Sequence, residues 1–186
     1  MAVAVSRMSA AEYLATPEDR PRHTELINAT VVVNQPKLPH ARAQANLLYE
    51  LRRWLEGAEA HGYISLPTDV VIDDENVFAP DLWWVGAERI PTDDELYLDG
   101  IPDLVVEVRS PSTWARDVGI KLPAYEAAGV AEAWYLDTEA RTVLVFRRSA
   151  PDAATFDVTT EVGTDEELTS AQLPGFALRV GAIFER

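Results

Sequence analysis

The chain has 186 residues, 47% of them hydrophobic and 25% charged, a balance that fits one globular domain able to bury a core without staples. It has no cysteine, which excludes a disulfide framework and thiolate chemistry and agrees with a reducing cytoplasm. The net charge of −15 excludes a general nucleic-acid coat, yet it is uneven. Residues 1–56 carry seven Lys/Arg against six Asp/Glu, a net of +1, while the remainder carries nine against twenty-five, a net of −16.

In chain order, "MSAAEYLATPEDRP" predicts a short helix with Ser9 as N-cap and Glu12 at N3, closed by Pro17 and Pro21. The start lacks the apolar core of a signal peptide, and no apolar run approaches a membrane span, so a soluble cytoplasmic protein with no membrane partner is expected. "HTELINATVVVN" predicts two short strands around Asn28-Ala29, and "QPKLPH" a loop. Residues 40–62 give the clearest helix: Ala43, Leu47, Leu51, Trp54 and Leu55 fall near helical spacing, with Gly57 or Gly62 to end it. "YISLPTDVVID" and "VFAPDLWWV" predict a hairpin with a polar turn at 73–76. An acidic excursion follows, then the strand "PDLVVEVR", a turn at Ser110, and a helix ending at Gly129. Three more strands and a short C-terminal group complete the chain. Strand and helix in this order predict α+β or mixed α/β architecture in one layer-packed domain, 1–186.

In "PDLVVEVR", alternation sets Leu104, Val106 and Val108 on one face and Asp103, Val105, Glu107 and Arg109 on the other. Either the second face meets water, or it presents charge to a reaction. Asp103 and Glu107 lie about 13 Å apart along a strand, too far to share one ion. Asp81, after Pro80 on the preceding strand, could instead meet Glu107, and Lys121 on the following helix could fold back over the strand end. Asp, Glu and Lys together suit phosphodiester hydrolysis: carboxylates hold a divalent cation that polarises phosphate and activates water, and a cation steadies developing charge.

The run 102–137, with "PHARAQ", "DVVIDDENVFAPDLWWV" and "LTSAQLPGFALRV", resembles the Uma-two family of restriction-endonuclease-like proteins within the PD-(D/E)XK nuclease superfamily. The resemblance covers nearly the whole chain. It implies a central mixed β-sheet flanked by helices, with extra N-terminal and C-terminal strands. It implies Asp81 and Glu107 as ligands of Mg²⁺ (or Mn²⁺), Lys121 as the catalytic lysine, and DNA as substrate. Arg109 stands where the superfamily lysine normally sits, two residues after the Glu, and the "ELINAT" turn lacks the family's acidic, glycine-bearing pattern. The alternative is therefore a catalytically weakened protein kept as a binding or dimerisation module. Glu25, His40, Asp103 and Arg109 are supporting candidates, each also readable as structural. Asp117 reads as a solvated helix acid or as the i, i+4 partner of Lys121. Trp83, Trp84 and Trp134 read as core rather than base-stacking platforms. Lys37, Arg42, Arg52 and Arg53 are the candidate basic surface, with a homodimer to form a groove.

Overall fold

The computed structural model of the chain describes residues 7–15, 23–57, 62–110 and 114–185. Helix α1 (Ala10–Leu14) starts with the predicted capping box: Glu12 N–H donates to Ser9 Oγ, and Ser9 N–H donates to the Glu12 carboxylate. Pro17 and Pro21 lie outside the described residues. Strands β1 (Thr24–Ile27) and β2 (Thr30–Val33) form the predicted hairpin, with Asn28 and Ala29 both at positive φ, 49° and 59°. This turn favours glycine at its second position, and alanine there is strained. Ala29→Gly is expected to add about 0.5–1 kcal/mol of stability, read as a rise in urea midpoint at unchanged m-value.

Helix α2 (Leu38–Gly57) begins two residues before the predicted His40 and ends at Gly57. The segment read as one hairpin is two, nested. Strands β3 (Gly62–Ser65) and β6 (Leu82–Gly86) pair antiparallel in one sheet. Between them, β4 (Val70–Asp73) and β5 (Asn76–Phe78) pair in another, turning where Asp73 accepts from Glu75 N–H and Asn76 Nδ2. The acidic excursion holds one 3₁₀ turn, Ala87–Arg89.

Strand β7 (Leu104–Val108) pairs antiparallel with β6 and parallel with β8 (Glu132–Asp137). The crossover between β7 and β8 is helical from Trp114 to Ala128: α3 (Trp114–Arg116), a π turn (Asp117–Lys121) and α4 (Leu122–Ala128). Leu122 N–H reaches back five residues to Asp117 O, and Pro123, which has no N–H, follows in the first turn of α4. Pro123 is thus accommodated by a π turn just before it. Gly129 closes the helix in the left-handed region at φ 96°. β9 (Thr142–Arg147) and β10 (Val158–Val162) extend the sheet antiparallel, and β11 (Glu167–Thr169) pairs β12 (Ala177–Arg179).

Three sheets result: a mixed one ordered β10-β9-β8-β7-β6-β3, an antiparallel one ordered β2-β1-β5-β4, and the two-stranded β11-β12. On one face of the mixed sheet, Ala43, Leu47 and Leu51 of α2 pack on Leu104, Val106, Val108 and Trp134. On the other, Val105, Ala133 and Tyr135 meet Tyr125 of α4 and Ile27, Val70 and Phe78 of the second sheet. All five residues of β7 are buried. This corrects the wet-face reading of the strand. A central strand with a layer on each side has no solvent face, so its alternation separates two cores.

Glu132 is fully buried, accepting from Trp134 Nε1 (2.7 Å) and Ser170 Oγ (2.9 Å). Burial pushes its carboxyl above the ordinary value, although both hydrogen bonds, the Arg147 charge and the Ala171 N–H act the other way. A raised folded pKa means stability that is complete below the unfolded pKa and lost as pH rises through the folded one. Glu132→Gln keeps both contacts, since the Ser170 hydroxyl can turn from donor to acceptor. The variant is expected to melt higher than wild type at neutral pH by a few degrees, the gap closing near pH 4, as measured by Tm against pH.

Candidate active site

The nested hairpins place Asp81. The chain leaves the mixed sheet after Ser65, makes β4 and β5 in the second sheet, and returns through Ala79-Pro80-Asp81 to start β6. Asp81 Oδ2 accepts from Val108 N–H (2.7 Å), at the end of β7, and from His40 Nε2 (3.0 Å). One turn along α2, Gln44 Nε2 donates to Asp81 O at 2.8 Å. His40 and Gln44, spaced i, i+4 on one helix face, therefore hold both the side chain and the backbone of Asp81. His40 Nδ1 is buried and makes no hydrogen bond among the described residues.

Glu107 lies one residue before the end of β7. Its Oε1 accepts from Lys121 Nζ and Tyr125 OH, both at 2.6 Å. Lys121 Nζ also lies 2.8 Å from Glu25 Oε1 and 4.0 Å from Asp117 Oδ1. Glu25 Oε1 accepts in addition from Ala79 N–H (2.9 Å), and its Oε2 accepts from Asn34, which Arg116 contacts in turn. Glu25, Glu107, Asp117 and Lys121 are each at most 4% exposed.

Such burial must show in protonation. Burial pushes the Glu107 carboxyl well up; Lys121 opposes this, and the charges of Asp117, Asp81 and Glu25 push it up further. Burial alone would lower the Lys121 ammonium, but Glu107, Glu25 and Asp117 outweigh it and hold it above its ordinary value. Burial likewise works against the Glu25 carboxylate, and Lys121 with the Ala79 and Asn34 hydrogen bonds brings it below the ordinary value. Lys121 is therefore a fixed cation.

These residues line one cavity of about 240 Å³. Glu25, His40, Gln44, Asp81, Glu107, Asp117 and Lys121 face it, and the exposed Gln35, Pro36, Leu66 and Pro67 border it. Glu25, a supporting candidate, is buried and tied to Lys121. Asp117 is likewise no solvated acid: the π turn winds it and Lys121 onto the same buried side.

Two supporting candidates lie elsewhere. Asp103, at the opposite end of β7, accepts from Gly86 N–H (2.9 Å) and contacts Arg89. Arg109 pairs with Asp137 (2.6 Å) and Glu139 (2.9 Å), its guanidinium over the Trp114 ring. Neither lines the cavity. Trp83, Trp84 and Trp134 are buried in the two cores and present no face for stacking a base. The sequence reading missed Gln44 and Tyr125. Both carried a signal: each lies four residues beyond a candidate, His40 and Lys121, on the same helical face.

A mixed sheet with a βαβ crossover, gathering an aspartate, a glutamate and a lysine at the carboxyl end of its central strand β7, defines a restriction-endonuclease-like fold. The chain belongs to the Uma2 family, described as "Putative restriction endonuclease", whose model matches residues 10–181. A solved structure of a "putative nuclease belonging to DUF820" from Anabaena variabilis ATCC 29413 superposes with a TM-score of 0.76. It covers 95% of this chain and 97% of its own at 18% identity, which shows the shared fold. No curated protein matches the chain.

Proposed function

We propose that this protein is a metal-dependent endonuclease that hydrolyses phosphodiester bonds of DNA at the Asp81–Glu107–Lys121 pocket. The observation that carries this reading is how the carboxylate oxygens divide. Asp81 Oδ2 and Glu107 Oε1 each take two donors, whereas Asp81 Oδ1 and Glu107 Oε2 take no hydrogen bond from the described residues. Both carboxylates face the cavity. Every oxygen of Glu25, by contrast, is engaged.

These residues fit a hard divalent cation such as Mg²⁺ or Mn²⁺. The described residues hold no cluster of three or more His, Cys, Asp or Glu arranged for a metal. Mg²⁺ asks for less: one or two carboxylates, water and substrate phosphate oxygens. Four acids and one lysine line the pocket, an excess of negative charge that favours a cation and opposes a bare phosphate. Bound there by Asp81 and Glu107, the cation supplies Lewis acidity toward the phosphate and a lowered pKa for water.

The chain's own groups do the rest. Tyr125 and Lys121 orient Glu107, and Val108 N–H with His40 orients Asp81. The Lys121 ammonium adds fixed positive charge for the developing phosphorane; held above its ordinary pKa, it is no proton acceptor. Water adds to phosphorus and gives up a proton to solvent, one P–O ester bond breaks, and the leaving oxygen takes a proton from solvent. One pocket serves one strand, so cutting both strands calls for two copies, and a homodimer is the proposed assembly.

The test is nicking of supercoiled plasmid with Mg²⁺ and with chelator. Cleavage that requires the metal and is lost in Glu107→Gln supports the reading. A wild-type protein that binds Mg²⁺ and DNA yet cuts neither DNA nor RNA would leave the binding-module alternative.

A further inference from the structure

A second cavity, of about 450 Å³, lies on the other flank of α2. Its walls come from the first turns of α2 (Pro39, Arg42), the β8–β9 turn (Thr138, Arg141) and the C-terminal Phe184 and Glu185. At 3.6 residues per turn, His40 and Gln44 face the reaction pocket, and Pro39 and Arg42 are turned more than a quarter of the way round the same helix. The two cavities thus stand on either side of the N-terminal end of α2, about a helix diameter of 10 Å apart. The β8–β9 turn also starts beside the carboxyl end of β7, where Arg109 N–H bonds Leu136 O and Thr138 Oγ1 approaches Arg109 O. The second cavity therefore continues from the strand end that carries Glu107.

Charge singles this cavity out. Most described arginines are spoken for: Arg7, Arg53, Arg89, Arg109 and Arg179 by carboxylates, Arg52, Arg116 and Arg148 by hydrogen-bond acceptors, and Arg147 by the charge of the Glu132 carboxyl. Arg42 and Arg141 make no side-chain hydrogen bond or ion pair among the described residues, in a chain with nearly two acids per base. Both line this one cavity. Arg141 also keeps a backbone φ of 59°, a conformation that favours glycine or asparagine. The carboxylates nearest along the turn, Asp137 and Glu139, are both held by Arg109, leaving Glu185 as the acid that faces the cavity.

We infer that the cleft between Arg42 and Arg141 binds the phosphodiester backbone of the strand being cut, next to the scissile phosphate. The inference rests on the nuclease reading and names the path the substrate takes across the end of α2. It also sorts the basic surface read from the sequence. Arg53 pairs with Glu50, Arg52 reaches Ile64 O, and Arg42 is the member that lines a cavity, with Arg141 as a counterpart from the acidic part of the chain.

The experiment is anisotropy of a short fluorescein-labelled DNA duplex in Ca²⁺ buffer across about 50–200 mM salt. It compares wild type, Arg42→Ala/Arg141→Ala and, as control, Arg53→Ala; plasmid nicking in Mg²⁺ runs alongside. Both arginines are away from the buried core, so the double variant is expected to fold, which its Tm reports. The slope of log K against log salt should shrink by about 2, with at least about a tenfold loss of affinity at low salt, while Arg53→Ala binds as wild type. If wild type cuts DNA and the double variant binds it with unchanged slope, the path is overturned and the nuclease reading stands. If wild type neither binds nor cuts, both fall. If inorganic phosphate displaces the duplex from wild type at equal phosphate concentration, the cleft is a free-anion site and the strand path is overturned.

Discussion

Lys121→Met is expected to destabilise the protein by about 3–5 kcal/mol, a drop of about 6–20 °C in Tm, besides abolishing cleavage. Lys121 Nζ sits between Glu107 (2.6 Å) and Glu25 (2.8 Å), with Asp117 at 4.0 Å, and is 2% exposed. Methionine fills a similar volume, so packing survives. The carboxylates lose their shared counter-charge in a place where water cannot replace it. Adding Glu25→Gln removes one of those charges and should restore about half of the lost stability without restoring cleavage. Thermal melts and plasmid nicking on the single and double variants separate the two roles. A Lys121→Met protein as stable as wild type would show that the ammonium is not the centre of charge balance.

Glu107→Gln is expected to do the reverse: full stability and no activity. The amide oxygen still accepts from Tyr125 OH, Lys121 keeps Glu25, and a carboxyl that burial pushes well up is gone. Tm should stay within about 2 °C of wild type or rise. Metal affinity should fall about 10–100-fold or more and cleavage at least about a thousandfold, near 4 kcal/mol of barrier. Calorimetric titration with Mg²⁺ and single-turnover cleavage read the two effects. A Glu107→Gln protein that cuts at the wild-type rate would remove Glu107 from the mechanism.

Glu107 could be singled out from the sequence because Asp103 lies too far along the strand to share an ion with it, while Asp81 of "APD" could reach it from the neighbouring strand. The family resemblance implied the same two carboxylates as metal ligands. What the sequence could not convey is which layer covers which face. Period-two alternation reads alike whether the second face meets water or another sheet, so β7 looked half wet. The second sheet was equally hidden: the order of β3, β4, β5 and β6 in the chain is that of a simple hairpin, and only long-range pairing of β1 with β5 divides it in two. The hydrogen-bonding shell was half legible. Gln44 and Tyr125 follow from helical spacing once His40 and Lys121 are chosen, but the Ala79 and Val108 N–H donors carry no side-chain signal at all.

The seam at Ala79-Pro80-Asp81, where the chain passes from one sheet to the other, bears on when the protein becomes active during synthesis. Glu25 and Asp81 are 56 residues apart, Asp81 and Glu107 a further 26, and Glu107 and Lys121 a further 14. No pair of these is assembled by one local element. The pocket exists only after both sheets have docked and the crossover helix has closed over β7. A nascent or partly folded chain therefore carries the acids without the arrangement. On the proposed nuclease reading, cutting would wait until folding is complete.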